Sequence, residues 1–150
     1  MYPDPHSVTR VTSIGAGPIG AGWTAHFLAR GYDVTAYLHD VAETDAFMSI
    51  LNTAWISLTD LGLADGASRD RLRIVTDLNE ALDGAEFVQE SGPERVDVKQ
   101  ALYAKMGTIL PPSVVIGSST SGLMMSDIQA ECPTPERTVI AHPFNPPYLL

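Results

Sequence analysis

Residues 13–20 read Ser-Ile-Gly-Ala-Gly-Pro-Ile-Gly, and no other stretch restricts the fold of this chain as tightly. Gly15, Gly17 and Gly20 stand in the spacing G-x-G-x-x-G. The β-branched run Arg-Val-Thr-Ser-Ile-Gly-Ala comes directly before, and a helical pattern follows. The spacing alone is a weak signal, because glycine is common in turns. A strand that runs through such a turn into a helix is a much stronger one, since it opens a βαβ unit. Pro18 is tolerated near the start of that helix, which is predicted to run to about Arg30, with Gly31 placed to end it.

The alternation continues along the chain. Asp-Val-Thr-Ala-Tyr-Leu, from Asp33, reads as a second strand. Over residues 42–62, Phe47, Ile50, Leu51, Ala54, Trp55 and Leu58 recur with the helical period, and Gly62 is a plausible stop. Residues 63–70 read as loop, and residues 72–75 and 87–90 as short strands with a small helix around Asn79–Leu82 between them. The helix after Pro93 is predicted to reach about Ile109, with Val98, Leu102, Met106 and Ile109 on its buried side. Pro111 and Pro112 close it. Residues 113–117 form a strand, a short helix lies near Ser126–Ala130, and residues 137–141 form a last strand. Strands alternating with helices imply parallel pairing through right-handed crossovers. The expected fold is therefore α/β, a Rossmann-type doubly wound, mostly parallel sheet with helices on both faces.

Composition narrows the function classes. With 150 residues, 45% apolar and 18% charged, the chain suits one globular domain, a dinucleotide-binding domain over 1–150. A net charge of −9 argues against nucleic-acid or anionic-membrane partners, which need clustered Lys and Arg. No run approaches the ~20 apolar residues of a membrane span. The single Cys132 excludes a disulfide framework and suggests a cytoplasmic setting. His6, His26, His39 and His142 are scattered, so no metal site is expected. The chain stops on Tyr-Leu-Leu without a polar tail, which reads as a cut inside a longer protein.

The glycine loop has a physical logic for a dinucleotide. Gly15 permits the tight turn, Gly17 lets backbone approach the pyrophosphate, and Gly20 lets helix and strand pack closely. Pro18 and Ile19 complete the loop, and the helix N-terminus offers N–H groups and partial positive charge to the phosphates. The usual partner of this loop is an acid that bonds the adenosine ribose, about 20 residues on. Asp40 has that spacing from Gly20 and favours NAD; the alternative is a solvated turn residue.

Three further stretches place polar residues just past predicted strands, on the edge where open α/β sheets bind ligands. They are residues 87–100 (Phe-Val-Gln-Glu-Ser-Gly-Pro-Glu-Arg-Val-Asp-Val-Lys-Gln), residues 116–123 and residues 141–150. With the glycine loop, they resemble the 3-hydroxyacyl-CoA dehydrogenase superfamily over nearly the whole chain. The forms Ser-Ser-Thr-Ser-Gly (118–122) and His-Pro-Phe-Asn-Pro (142–146) are similar to the branch of L-carnitine dehydrogenase and the lambda-crystallin/L-gulonate 3-dehydrogenase proteins.

That resemblance implies an NAD-dependent oxidation of the 3-hydroxyl of a small hydroxy acid, L-carnitine-like by preference. His142 would be the general base, a task suited to an imidazole because its ordinary pKa of ~6.5 lies near working pH. Ser121 would hydrogen-bond the reacting oxygen, and Asn145 would position substrate and nicotinamide. Glu94 and Lys99 would lie near the nicotinamide ribose. The resemblance further implies a glutamate orienting the histidine beyond Leu150, then a helical dimerisation domain, so that the full protein is a homodimer.

Plainer roles stand beside these. His142 could be a satisfied strand-end residue, Ser121 a helix cap, Asn145 a turn residue, and Glu94 and Lys99 surface charges. Two functional alternatives also stand: a 3-hydroxyacyl-CoA dehydrogenase and a non-catalytic dinucleotide-binding or structural protein. One departure bears on the cofactor. In family register the ribose-binding acid falls on Leu38, two residues before Asp40. In an extended strand the two would point to the same side, and Leu38 leaves NADP open beside NAD.

Overall fold

The structure, a computed structural model, describes residue 2 and residues 4–149. Six strands form one sheet: β1 (Arg10–Ile14), β2 (Asp33–Tyr37), β3 (Leu72–Val75), β4 (Phe87–Glu90), β5 (Val115–Ser118) and β6 (Thr138–Ile140). Their order is β3-β2-β1-β4-β5-β6, and every pairing is parallel. The doubly wound expectation holds, with the direction of winding reversing between β1 and β4. That is the position where such sheets leave a crevice at their C-terminal edge.

Five helices make the crossovers: α1 (Pro18–Ala29), α2 (Thr44–Leu61), α3 (Leu78–Leu82), α4 (Val96–Ile109) and α5 (Met125–Ile128). Helices α1 and α2 pack on one face, where Ala25, Leu28, Phe47, Leu51, Ala54 and Leu58 close over Val34, Ala36 and Leu38. The periodicity read from residues 42–62 identified this face, although a short 3-10 turn, Val41–Glu43, precedes the helix. The second core lies on the opposite face, where Tyr103 and Met106 of α4 and Ile128 of α5 cover Val88 and Ile116.

The predicted buried side of α4 needs correction. Its buried residues are Lys99, Tyr103, Met106 and Gly107; Val98 and Leu102 are half-buried, and Ile109 is 38% exposed. A polar side chain, Lys99, turns inward because a buried carboxylate at the end of β4 receives it. The helix is thereby rotated so that Val98, Leu102 and Ile109 line a trough, while Met106 stays in the core and Leu102 also packs against it. The end of α4 is held by another buried cation, Arg137, whose Nη2 donates to Gly107 O at 3.1 Å and Met106 O at 3.4 Å. A cation is favourable there because the terminal carbonyls carry partial negative charge.

At the same N-terminal end of the strands, Glu86 anchors the start of β1. Its Oε2 accepts from the amides of Thr9 at 2.7 Å and Arg10 at 3.0 Å. Those two bonds, with the Arg10 guanidinium beside them, pull its carboxyl from the ordinary value near 4.5 down to about 2.

Candidate functional site

Parallel strands bring every strand end to one edge, and the polar stretches singled out above all lie there. The glycine loop follows β1, residues 38–40 follow β2, residues 91–94 follow β4, residues 119–122 follow β5 and residues 141–145 follow β6.

Each glycine of the loop has its own physical reason. Gly15 has φ +115, and a Cβ there would lie 2.4 Å from Ser91 O. A Cβ on Gly20 would lie 2.1 Å from Gly15 O, so the first turn of α1 packs directly on the turn. Gly17 differs: a Cβ would meet nothing within 4 Å. Gly17 is also the N-cap of α1 with no side-chain cap, and Pro18 follows as the first helical residue. Open space thus lies over an uncapped helix N-terminus, an arrangement that accepts an anionic group.

This contrast predicts divergent mutants. Gly20→Ala is expected to destabilise the fold by about 3 kcal/mol, because backbone rather than a movable side chain opposes the new methyl. Gly17→Ala is expected to leave the urea midpoint within error while abolishing detectable dinucleotide binding. Paired unfolding curves and cofactor titrations check both.

A cavity of about 630 Å³ opens above the loop, between Gly15, Gly17, Tyr37, Glu43, Ser91 and Pro93. A second, of about 780 Å³, adjoins it and shares Tyr37, Val98 and Leu102. Together they form a trough crossing the point where the sheet reverses. The apolar stripe of α4 is its wall.

Leu38 and Asp40 do not share an environment. Leu38 is fully buried in the α1–α2 core, whereas Asp40 is exposed. The strand ends at Tyr37 and the chain turns outward, so the two-residue period stops applying. The Asp40 carboxylate accepts from Ala42 N at 2.9 Å and caps the 41–43 turn. Glu43 closes the capping box, its Oε2 accepting from His39 N at 3.0 Å and Asp40 N at 3.3 Å. Of these two acids, Glu43 and not Asp40 lines the 630 Å³ cavity.

Glu94 and Lys99 are differently employed. Glu94 Oε1 accepts from Thr120 Oγ1 at 2.7 Å, Ser121 N at 2.9 Å and Gly122 N at 3.1 Å. Burial would raise its carboxyl, but these bonds, and Lys99 at 4.0 Å, outweigh that and hold it below the ordinary carboxylate range. Glu94 thereby ties the loop after β4 to the Ser121 loop. Lys99 is 1% exposed. Its ammonium donates to Glu90 Oε1 at 2.6 Å, Glu90 Oε2 at 2.9 Å and Gly92 O at 3.3 Å. Glu90 also accepts from Ser118 Oγ at 2.7 Å and Gly92 N at 2.6 Å, so a fully satisfied ion pair underlies the site.

His142, Ser121 and Asn145 all have exposed side chains at this edge. The backbone beside His142 is held firmly: Ala141 N donates to Ser118 O at 2.8 Å, and Gln89 Nε2 donates to Ala141 O at 3.3 Å. The Asn145–Pro146 peptide is cis. Ser121 does not cap α5, whose N-cap is Met124. Among the described residues, no group of three or more His, Cys, Asp or Glu gathers, and no helix is long and apolar enough to cross a membrane.

Sequence reasoning missed Glu90, Ser91, Ser119 and Glu43. The one available signal was Glu90, a charged residue closing an otherwise uncharged strand, with Lys99 nine residues on, outside the apolar stripe of its helix.

The profile of the family described as "3-hydroxyacyl-CoA dehydrogenase, NAD binding domain" matches residues 10–150. The chain belongs to that family. It is similar to L-carnitine dehydrogenase of Streptomyces coelicolor, with 51% identity over 97% of this chain and 46% of the relative. L-carnitine dehydrogenase of Pseudomonas aeruginosa is 46% identical over 92% of this chain and 43% of its own length. The chain therefore spans less than half the length of these curated relatives. Among solved structures, 3-hydroxybutyryl-CoA dehydrogenase of Escherichia coli superposes with a TM-score of 0.85 at 31% identity, covering 96% of this chain and 31% of that one.

Proposed function

We propose that this chain is the NAD-binding domain of a dehydrogenase that oxidises the 3-hydroxyl of a small, L-carnitine-like hydroxy acid to the 3-oxo acid. The observation that carries the reading is the 51% identity with an L-carnitine dehydrogenase, in a chain whose strand ends gather the glycine loop, Ser121, His142 and Asn145 on one edge.

Gly15, Gly17, Pro18, Ile19 and Gly20 hold the pyrophosphate over the N-terminus of α1. Tyr37, Val98 and Leu102 would hold the adenine end, and Asp40 would act through the turn it caps, whose Glu43 would receive the ribose. A carboxylate at that position opposes a 2′-phosphate and favours NAD over NADP. When bound, the nicotinamide accepts the hydride from the substrate's carbinol carbon. His142 takes the hydroxyl proton, Ser121 donates to the reacting oxygen and Asn145 orients the substrate. Glu94 positions Ser121 by holding its amide, and Lys99 positions Glu94 directly and Gly92 both directly and through Glu90. The full protein is read as a cytoplasmic homodimer in which a second, largely helical domain completes the substrate pocket.

A second reading, oxidation of a 3-hydroxyacyl-CoA, is favoured by the superposition on 3-hydroxybutyryl-CoA dehydrogenase. A substrate panel separates the two. In a chain carried on to the relatives' length, L-carnitine with NAD⁺ is expected to give NADH, with NADP⁺ a much poorer acceptor. Turnover of 3-hydroxybutyryl-CoA with none of L-carnitine would establish the second reading. Cofactor binding without turnover of either would assign a non-catalytic protein. The 150-residue chain alone is expected to turn over little.

A further inference from the structure

Ser119, at the C-terminal end of β5, is a meeting point of three polar side chains. Gln89 Nε2 lies 2.8 Å from its Oγ, Trp23 Nε1 3.2 Å and Ser91 Oγ 2.9 Å. The proton positions in this cluster follow from donor and acceptor capacity. An indole N–H only donates. The Gln89 amide is oriented independently, because the same Nε2 also donates to Ala141 O at 3.3 Å. Both lone pairs of Ser119 are therefore occupied by N–H donors, and its own proton must go to the remaining neighbour, Ser91 Oγ.

Ser91 then accepts within the protein and keeps its own hydroxyl proton. That hydroxyl belongs to a residue lining the 630 Å³ cavity. Its backbone is rigid: Ser91 N donates to Ile14 O at 2.8 Å, and Ser91 O sits against Gly15. The residue thus stands on the β4 side of the crevice between β1 and β4, on the far side of the glycine loop from Tyr37, His39 and Glu43.

We infer that Ser91 is a cofactor-contacting residue, its hydroxyl a pre-oriented donor to an oxygen of the dinucleotide beyond the AMP half. The inference rests on the reading of this trough as a dinucleotide site. Trp23, Gln89 and Ser119 act as positioning residues: Trp23 and Gln89 fill the acceptor sites of Ser119, and Ser119, donating to Ser91, leaves the Ser91 proton free for a ligand. A donor oriented before binding loses less rotational freedom on contact than a free hydroxyl does.

Calorimetric titration of the 150-residue chain with NADH and with AMP, in wild type and Ser91→Ala, tests this. The variant is expected to bind NADH about five-fold more weakly, the worth of one hydrogen bond, and to bind AMP as wild type does. Ser91→Cys, which keeps the shape but donates weakly, is expected to behave like the alanine variant. Urea unfolding of each variant shows whether the fold is intact. Unchanged NADH affinity in both variants, or equal weakening of NADH and AMP, would overturn the inference. Failure of the wild-type chain to bind NADH at all would overturn the dinucleotide reading, and the inference with it.

Discussion

His142→Ala, in a chain carried on to the length of its relatives, is expected to lower kcat for the 3-hydroxy acid by about 1,000-fold. That is the middle of the range for losing a positioned acid–base group. KM should change little, because the role proposed for His142 is proton transfer in the transition state rather than ground-state binding. Binding of NADH should not change, since His142 is not among the residues lining the trough. Steady-state kinetics with a parallel NADH titration checks all three quantities. A rate within about three-fold of wild type would remove His142 from the chemistry and leave the satisfied strand-end role weighed for it from sequence.

The second large effect is on stability. Lys99→Met is expected to cost about 3 to 5 kcal/mol, because it strands the Glu90 carboxylate, 0% exposed, without its counter-ion. That is a large share of the roughly 5–15 kcal/mol that holds a domain together. Glu90→Gln added to Lys99→Met should recover much of the loss, since a neutral amide tolerates the same site without a cation. Urea midpoints of the wild type, the single variant and the double variant give the comparison. If the single variant unfolds at the wild-type midpoint, the pair is not a structural element of the site. Loss of NADH affinity in the double variant, with stability recovered, would show that the pair also positions Gly92 and Glu94.

Much of the architecture was legible in the residues. The glycine spacing, the β-branched runs and the stripe from Phe47 to Leu58 each report a local preference that the tertiary structure reinforces. The helix after Pro93 has the expected extent, but of its expected buried side only Met106 is fully buried. Val98, Leu102 and Ile109 form a convincing apolar stripe, but a stripe shows only that a face avoids water. Whether it meets core or a ligand trough depends on what else the helix buries, and here Lys99 decided that by pairing with Glu90.

The site divides along the same line. Ser121, His142 and Asn145 stand in short, ordered motifs that resemble those of the family, and the parallel sheet carries them to one edge. Glu43, Ser91 and Ser119 had no such signature. Each acquires its role from a neighbour distant in sequence or from the way a turn exits a strand. Asp40 shows the limit of spacing as a guide: the count from Gly20 was right, but the chain left the strand before reaching it, and its carboxylate caps a turn.

By itself, then, the sequence determined the strand–turn–helix opening, the strand–helix alternation of a doubly wound sheet and the residue types offered for the chemistry. All of these follow from local backbone preference and from periodicity, which act between residues near in sequence. Only the tertiary structure decided which way α4 faces, that Glu43 rather than Asp40 lines the 630 Å³ cavity, that Lys99 is buried on Glu90, and which side chains meet at Ser119. These depend on saturating charges and hydrogen-bond capacity among residues up to 96 positions apart, the separation of Trp23 and Ser119. No pattern within a single segment encodes such a sum.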